Sequence, residues 1–233
     1  MRPVFMAARN RDSFARMITG VSMNPLALTG WVAVGTCVGA AIAMCSRALV
    51  RTRVLSVGER AVSAGATAVA FAAAAWRFGW GIDLVAYSSF AAVSVVLALI
   101  DIIEQRLPGV LILVGVLAVG ASFVLGSVLV AGYADLFRAV AGMCVLGACY
   151  LVLALALGGL GAGDVKLAGL LGLALGWQSW GVVLAGTVLG WLLAGIARAV
   201  LRATGQVPRG APMPMGPYLV LGAWLAILCD LAP

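Results

Sequence analysis

Apolar residues run through this chain in blocks, separated by short polar or glycine-rich breaks. The blocks fall at residues 26–45, 61–80, 84–103, 109–131, 138–158, 165–178, 180–200 and 214–231. Most match the roughly 17 to 25 residues that an α-helix needs to cross a bilayer core of about 30 Å. The pattern predicts an all-α fold, a polytopic membrane helix bundle with about eight transmembrane helices. Segment 165–178 is short, so seven spans plus a partial helix is the competing count.

Composition fits that reading. The chain has 233 residues, 64% hydrophobic and 10% charged, with a mean hydropathy of +1.14. A soluble domain is about 45–50% apolar and about 25% charged. No repeat or extended linker divides the chain, so residues 1–25 are expected to form a basic N-terminal tail and 26–233 one membrane-embedded domain.

Charge then gives the membrane side. The net charge of +7 comes from fourteen arginines and one lysine. In such a chain this excess reads as topology and contact with anionic membrane lipid, with no nucleic acid as partner. If the breaks at 46–60, 104–109, 159–166 and 198–212 share one side, they hold Arg47, Arg51, Arg53, Arg60, Arg106, Lys166, Arg198, Arg202 and Arg209. The opposite breaks hold Arg77 and Arg138, with Trp76, Trp80, Trp177 and Trp180 as an aromatic belt. Positive-inside bias makes the first set cytoplasmic and the protein a multi-pass protein of the cytoplasmic membrane. Segment 1–20 disagrees: eight spans put it outside, yet it carries Arg2, Arg9, Arg11 and Arg16. Either the later loops override it or the natural start is Met17 or Met23.

The chain contains no histidine, which removes Ser-His-Asp and Cys-His catalysis. Its five cysteines are dispersed in apolar surroundings without a C-x-x-C pair, so neither a metal nor any other cofactor is expected. What remains is carboxylate chemistry. An ionisable group near lipid costs from about 2.5 to more than 10 kcal/mol, so an acid there is a functional-site candidate by default. Asp164 lies in GGLGAGDVKLAGLLG, residues 158–172, and Asp101 in ALIDIIEQRLPGV. Two spans separate them, and an even number of crossings returns the chain to the same side. Either acid alone reads equally well as a helix cap or a topological marker. As a pair in a poorly solvated place they cannot both ionise readily, so one keeps its proton while the other acts as base on a shared water. Gly158, Gly159, Gly161 and Gly163 permit close approach of an extended peptide, whereas Gly169, Gly172 and Gly176 read as tight helix packing.

These residues carry a resemblance. The segment GGLGAGDVKLAGLLG resembles the G-x-G-D-x-K signature of the type IV prepilin peptidases, a group of intramembrane GxGD aspartic proteases. IDIIEQRLPG resembles that family's first catalytic motif, an aspartate followed seven residues later by proline, here Asp101 and Pro108. VPRGAPMPMGPYLVLGAW resembles its Pro-x-Gly-Pro segment, here Pro214, Gly216 and Pro217. The resemblance implies that Asp101 and Asp164 are the catalytic pair. It implies that Gly161, Gly163, Lys166, Pro108, Pro214, Gly216 and Pro217 bind substrate or shape the motifs. Lys166 reads equally as a cation beside the pair or as a snorkelling topology marker.

The implied function is a membrane endopeptidase that removes the basic leader of prepilin-like or pseudopilin-like precursors at the cytoplasmic face, ahead of the substrate's apolar helix. Two departures stand out. Gly109 replaces the Asn or Asp usual after the motif proline, which is expected to loosen that turn. The loop 46–60 is short and lacks the paired cysteines of bifunctional members, which implies peptidase activity without methyl transfer. A small ion-coupled transporter using the same two aspartates, and an inactive scaffold, are the competing readings. Oligomeric state is not legible.

Overall fold

A computed structural model describes residues 24–45, 56–130, 132–157, 160–206 and 213–230. The basic segment 1–23, most of the loop 46–60, Gly158 and Gly159, and residues 207–212 lie outside the described residues. The described residues form eight helices: α1 (Pro25–Cys45), α2 (Val57–Phe78), α3 (Ile82–Glu104), α4 (Gly109–Val130), α5 (Ala134–Leu157), α6 (Ala162–Gln178), α7 (Trp180–Ala203) and α8 (Gly216–Cys229). Each apolar block of the sequence is one helix. Six of them, α1 to α5 and α7, are long and apolar enough to cross a membrane. The other two, α6 with 17 residues and α8 with 14, are shorter.

Local chemistry fixes several helix ends. Ser56 and Glu59 form a reciprocal capping box at the start of α2, with Glu59 N donating to Ser56 Oγ at 3.2 Å and Ser56 N donating to Glu59 Oε2 at 2.8 Å. Ser179 caps α7 by accepting from Val182 N at 3.1 Å. At the far end of α3, Gln105 takes a left-handed conformation with φ 51°, and its N–H donates back to Asp101 O at 2.9 Å. This closes the helix just beyond Asp101 and turns the chain towards Leu107.

Burial explains why α6 works although it is short. Ten consecutive residues, Leu167 to Gly176, are buried. The helix is walled by α4, α5, α7 and α8, so protein rather than lipid sets the length it needs. Its closest partner is α5. A Cβ on Gly172 would run into the carbonyl of Gly142, so the two backbones meet with no side chain between them. The same logic joins α7 to α8 through Gly190 and Gly222. Conversely, large apolar side chains such as Val69, Leu117 and Leu155 stand exposed around the outside, as lipid-facing positions do.

The end of the bundle remote from Asp101 is held by two arginines. Arg138 of α5 donates through Nε to Gly176 O at 2.8 Å, through Nη2 to Gln178 O at 2.8 Å, and also to Trp177 O, and it pairs with Asp135 at 3.0 Å. Arg77 of α2 donates to Ile227 O at 3.3 Å and Asp230 O at 2.7 Å. Both guanidinium groups thus satisfy carbonyls at the C-termini of the two short helices. Trp76, Trp80 and Trp180 are exposed at this end. Trp177 instead packs inward, stacked on Phe123 at 4.1 Å and donating to Asp83 Oδ1 at 3.0 Å.

Candidate active site

Asp101 and Asp164 lie at the same end of the bundle. Asp101 sits in the last turn of α3 and is 4% exposed. Its Oδ2 accepts a hydrogen bond from Gly216 N at 2.8 Å, so the carboxylate occupies the N-terminus of α8, where an unpaired backbone donor and the positive end of the helix dipole converge. Asp164 lies inside α6 rather than ahead of it, because the helix starts at Ala162, three residues before the apolar block. It stands in the first turn, where its Oδ2 accepts from Gly161 N at 2.9 Å. Each carboxylate is therefore gripped through Oδ2 by one backbone N–H, and each Oδ1 is without a hydrogen-bond partner among the described residues. The contact of Gly163 with Leu107, six residues beyond Asp101, brings the first turn of α6 to the same end of the bundle as the last turn of α3.

The three motifs dock against one another through small contacts. A Cβ on Gly163 would stand 2.8 Å from Leu107 Cβ, so glycine there lets the turn between α3 and α4 lie on the start of α6. A Cβ on Gly216 would stand 2.9 Å from Asp101 Oδ2, so the third motif reaches the first only because position 216 has no side chain. Pro217 then follows in the first turn of α8, where its missing N–H removes no bond. Pro108 precedes α4, and its carbonyl accepts from Leu111 N at 3.1 Å and Ile112 N at 3.3 Å. Helix α4 thus starts regularly at Gly109, and no loosened turn is seen there. Pro214 stands two residues before α8, within the segment that delivers Gly216 to Asp101.

Lys166 is exposed, and its Nζ lies 3.2 Å from where a Cβ on Gly109 would be. It stands at the rim of a cleft of about 310 Å³ between α4, α5 and α6 that includes Ile112, Met143 and Gly169. The glycine after the motif proline therefore makes room for the lysine of the second motif.

Two neighbours have no signature in the sequence. Leu107, the partner of Gly163, reads there as one more apolar residue. Tyr150 of α5 is 3% exposed, accepts a hydrogen bond from Trp191 Nε1 at 2.8 Å and borders a small cavity with Ala168 and Leu171 of α6.

Comparison with known proteins bears on this arrangement. Residues 88–201 match the model of the Type IV leader peptidase family, a stretch that holds Asp101, Pro108, Gly161, Gly163, Asp164 and Lys166 and stops short of Pro214. The chain is 35% identical over 162 residues to a prepilin leader peptidase/N-methyltransferase of Bacillus subtilis, covering 70% of this chain and 62% of that protein. It is 31% identical over 170 residues to a protein of the same name from Pseudomonas aeruginosa, covering 70% and 56%. With one from Aeromonas salmonicida it shares 40% over 106 residues, covering 43% and 35%. The chain thus spans less than two thirds of the length of these relatives. No solved structure matches it significantly. Through residues 88–201, this multi-pass helical membrane protein belongs to the type IV leader peptidase family.

Proposed function

We propose that the chain is an intramembrane aspartic endopeptidase that cleaves the leader from prepilin-like protein precursors. The observation that carries this reading is the placement of Asp101 and Asp164 at the same end of the bundle, each held through one oxygen by a backbone N–H. Two carboxylates so placed share their protons unevenly, which is what hydrolysis of an amide needs. The ionised member takes a proton from water as its oxygen attacks the scissile carbonyl carbon. The protonated member donates to the carbonyl oxygen. Collapse of the tetrahedral intermediate then breaks the C–N bond, leaving a carboxylate on the leader and a protonated amine on the mature protein. The N–H groups of Gly216 and Gly161 fix both carboxylates before substrate arrives, so little reorganisation accompanies the reaction.

The uneven arginine distribution supports a cytoplasmic face of the cytoplasmic membrane for this end. Loop 46–60 has no cysteine pair, and the activity proposed is peptidase activity without methyl transfer to the new amine. Membranes containing the full chain, incubated with a peptide of a basic leader joined through glycine to an apolar helix, should release the leader. Asp101→Ala and Asp164→Ala should each abolish release while leaving protein abundance and thermal midpoint near those of the parent. Cleavage that survives either change ends the aspartic mechanism.

A further inference from the structure

Among the described residues, an apolar groove of about 530 Å³ lies between α2, α3 and α8. One end is formed by Ile102 and Pro217, the immediate chain neighbours of Asp101 and Gly216. From there it extends along α2 from Val62 to Ala73 and along α8 to Leu228, roughly 16 Å at about 1.5 Å per helical residue. It therefore runs from the level of the two aspartates into the apolar layer and is open along its side.

We propose that this groove seats an apolar helix of the protein substrate, with the bond to be cut lying just beyond the helix end, beside Asp101. The proposal rests on the peptidase reading and specifies where that substrate lies. A polypeptide in the apolar layer must satisfy its own backbone hydrogen bonds, so whatever part of a protein substrate fills the groove is helical. The α2 wall is lined by Ser63, Ala66, Ala70 and Ala73, small residues that let a second helix backbone come close. Continuity with the site completes the case. A helix seated here delivers its end to the Asp101 side of the pair, and the chain beyond it must leave helical form to cross towards Asp164, past the first turn of α6.

The experiment uses the full chain in phosphatidylcholine vesicles and the leader–glycine–helix peptide as probe. A photo-crosslinking residue is placed at Val69 or Leu225, which line the groove, or at Val145 on the lipid-facing side of α5. The proposal expects peptide cross-links from positions 69 and 225 at least tenfold above those from 145, also in an Asp164→Asn background. It further expects Ala66→Trp to raise KM for this peptide at least tenfold with kcat within twofold. Equal cross-linking at all three positions, or cross-links to lipid alone, overturns it. Groove cross-links without any cleavage by the parent would retain the groove and discard the peptidase. Cleavage unaffected by Ala66→Trp and without groove cross-links would do the reverse.

Discussion

Asp101 is held by a glycine from the other end of the sequence, and that dependence makes a sharp prediction. In Gly216→Ala the new Cβ would stand 2.9 Å from Asp101 Oδ2 and 3.3 Å from its Cγ, so either the carboxylate or the start of α8 must give way. Position 216 touches the reaction only through Asp101. The expected outcome is therefore a fall in kcat of at least tenfold, equivalent to about 1.4 kcal/mol of barrier, with KM within about threefold. Steady-state kinetics on the leader peptide checks this; a rise in KM at constant kcat would instead make Gly216 part of the substrate-binding surface. Which residues belong together was legible here, but their geometry was not. Motif spacing and span parity select Asp101 and Asp164. Neither discloses that a backbone N–H of α8 grips the first acid, because a bond across 115 residues of sequence exists only once α3 and α8 have packed. Leu107 escapes notice for the same reason: an apolar side chain acquires meaning from what stands opposite it, here Gly163.

At the scale of elements, hydropathy located all eight helices but misjudged why some residues stand where they do. The glycine run before Asp164 hides the start of α6, which begins at Ala162 with Gly161 as its N-cap and so brings the acid into the first helical turn. Arg77 and Arg138 look in the sequence like topology markers, yet in the fold they close the C-termini of α8 and α6. Arg138→Ala leaves three carbonyls of the α6 terminus without that donor at a half-buried position. It should destabilise the protein by about 2–4 kcal/mol, since bonds from a charged donor are worth about 1.5–3 kcal/mol each and water replaces some of them. Thermal unfolding in detergent measures the loss. Arg138→Lys, with one compact ammonium in place of a fork, should recover less than half of it. A thermal midpoint unchanged in Arg138→Ala would mean that α5–α6 packing alone positions α6.

For the whole molecule, parity of crossings governs everything the site requires. Helices α4 and α5 carry the chain away from the end of α3 and back to the start of α6, so the turn at Gln105 and the turn at Tyr133 stand at opposite ends of the bundle. The side proposed for each rests on charge: Arg106 and Lys166 lie at the Asp101 end, and Arg77 and Arg138, engaged with carbonyls, at the other. In a variant whose five cysteines are replaced by serine or alanine, Gln105→Cys should react with a membrane-impermeant maleimide only after the cytoplasmic side is opened. Tyr133→Cys, 50% exposed in the parent, should react in intact cells. The reverse pattern would put both aspartates at the outer face, where a leader still attached at the cytoplasmic side has no access to them. The aspartic chemistry of the pair would survive that result, and the leader-cleaving role would not.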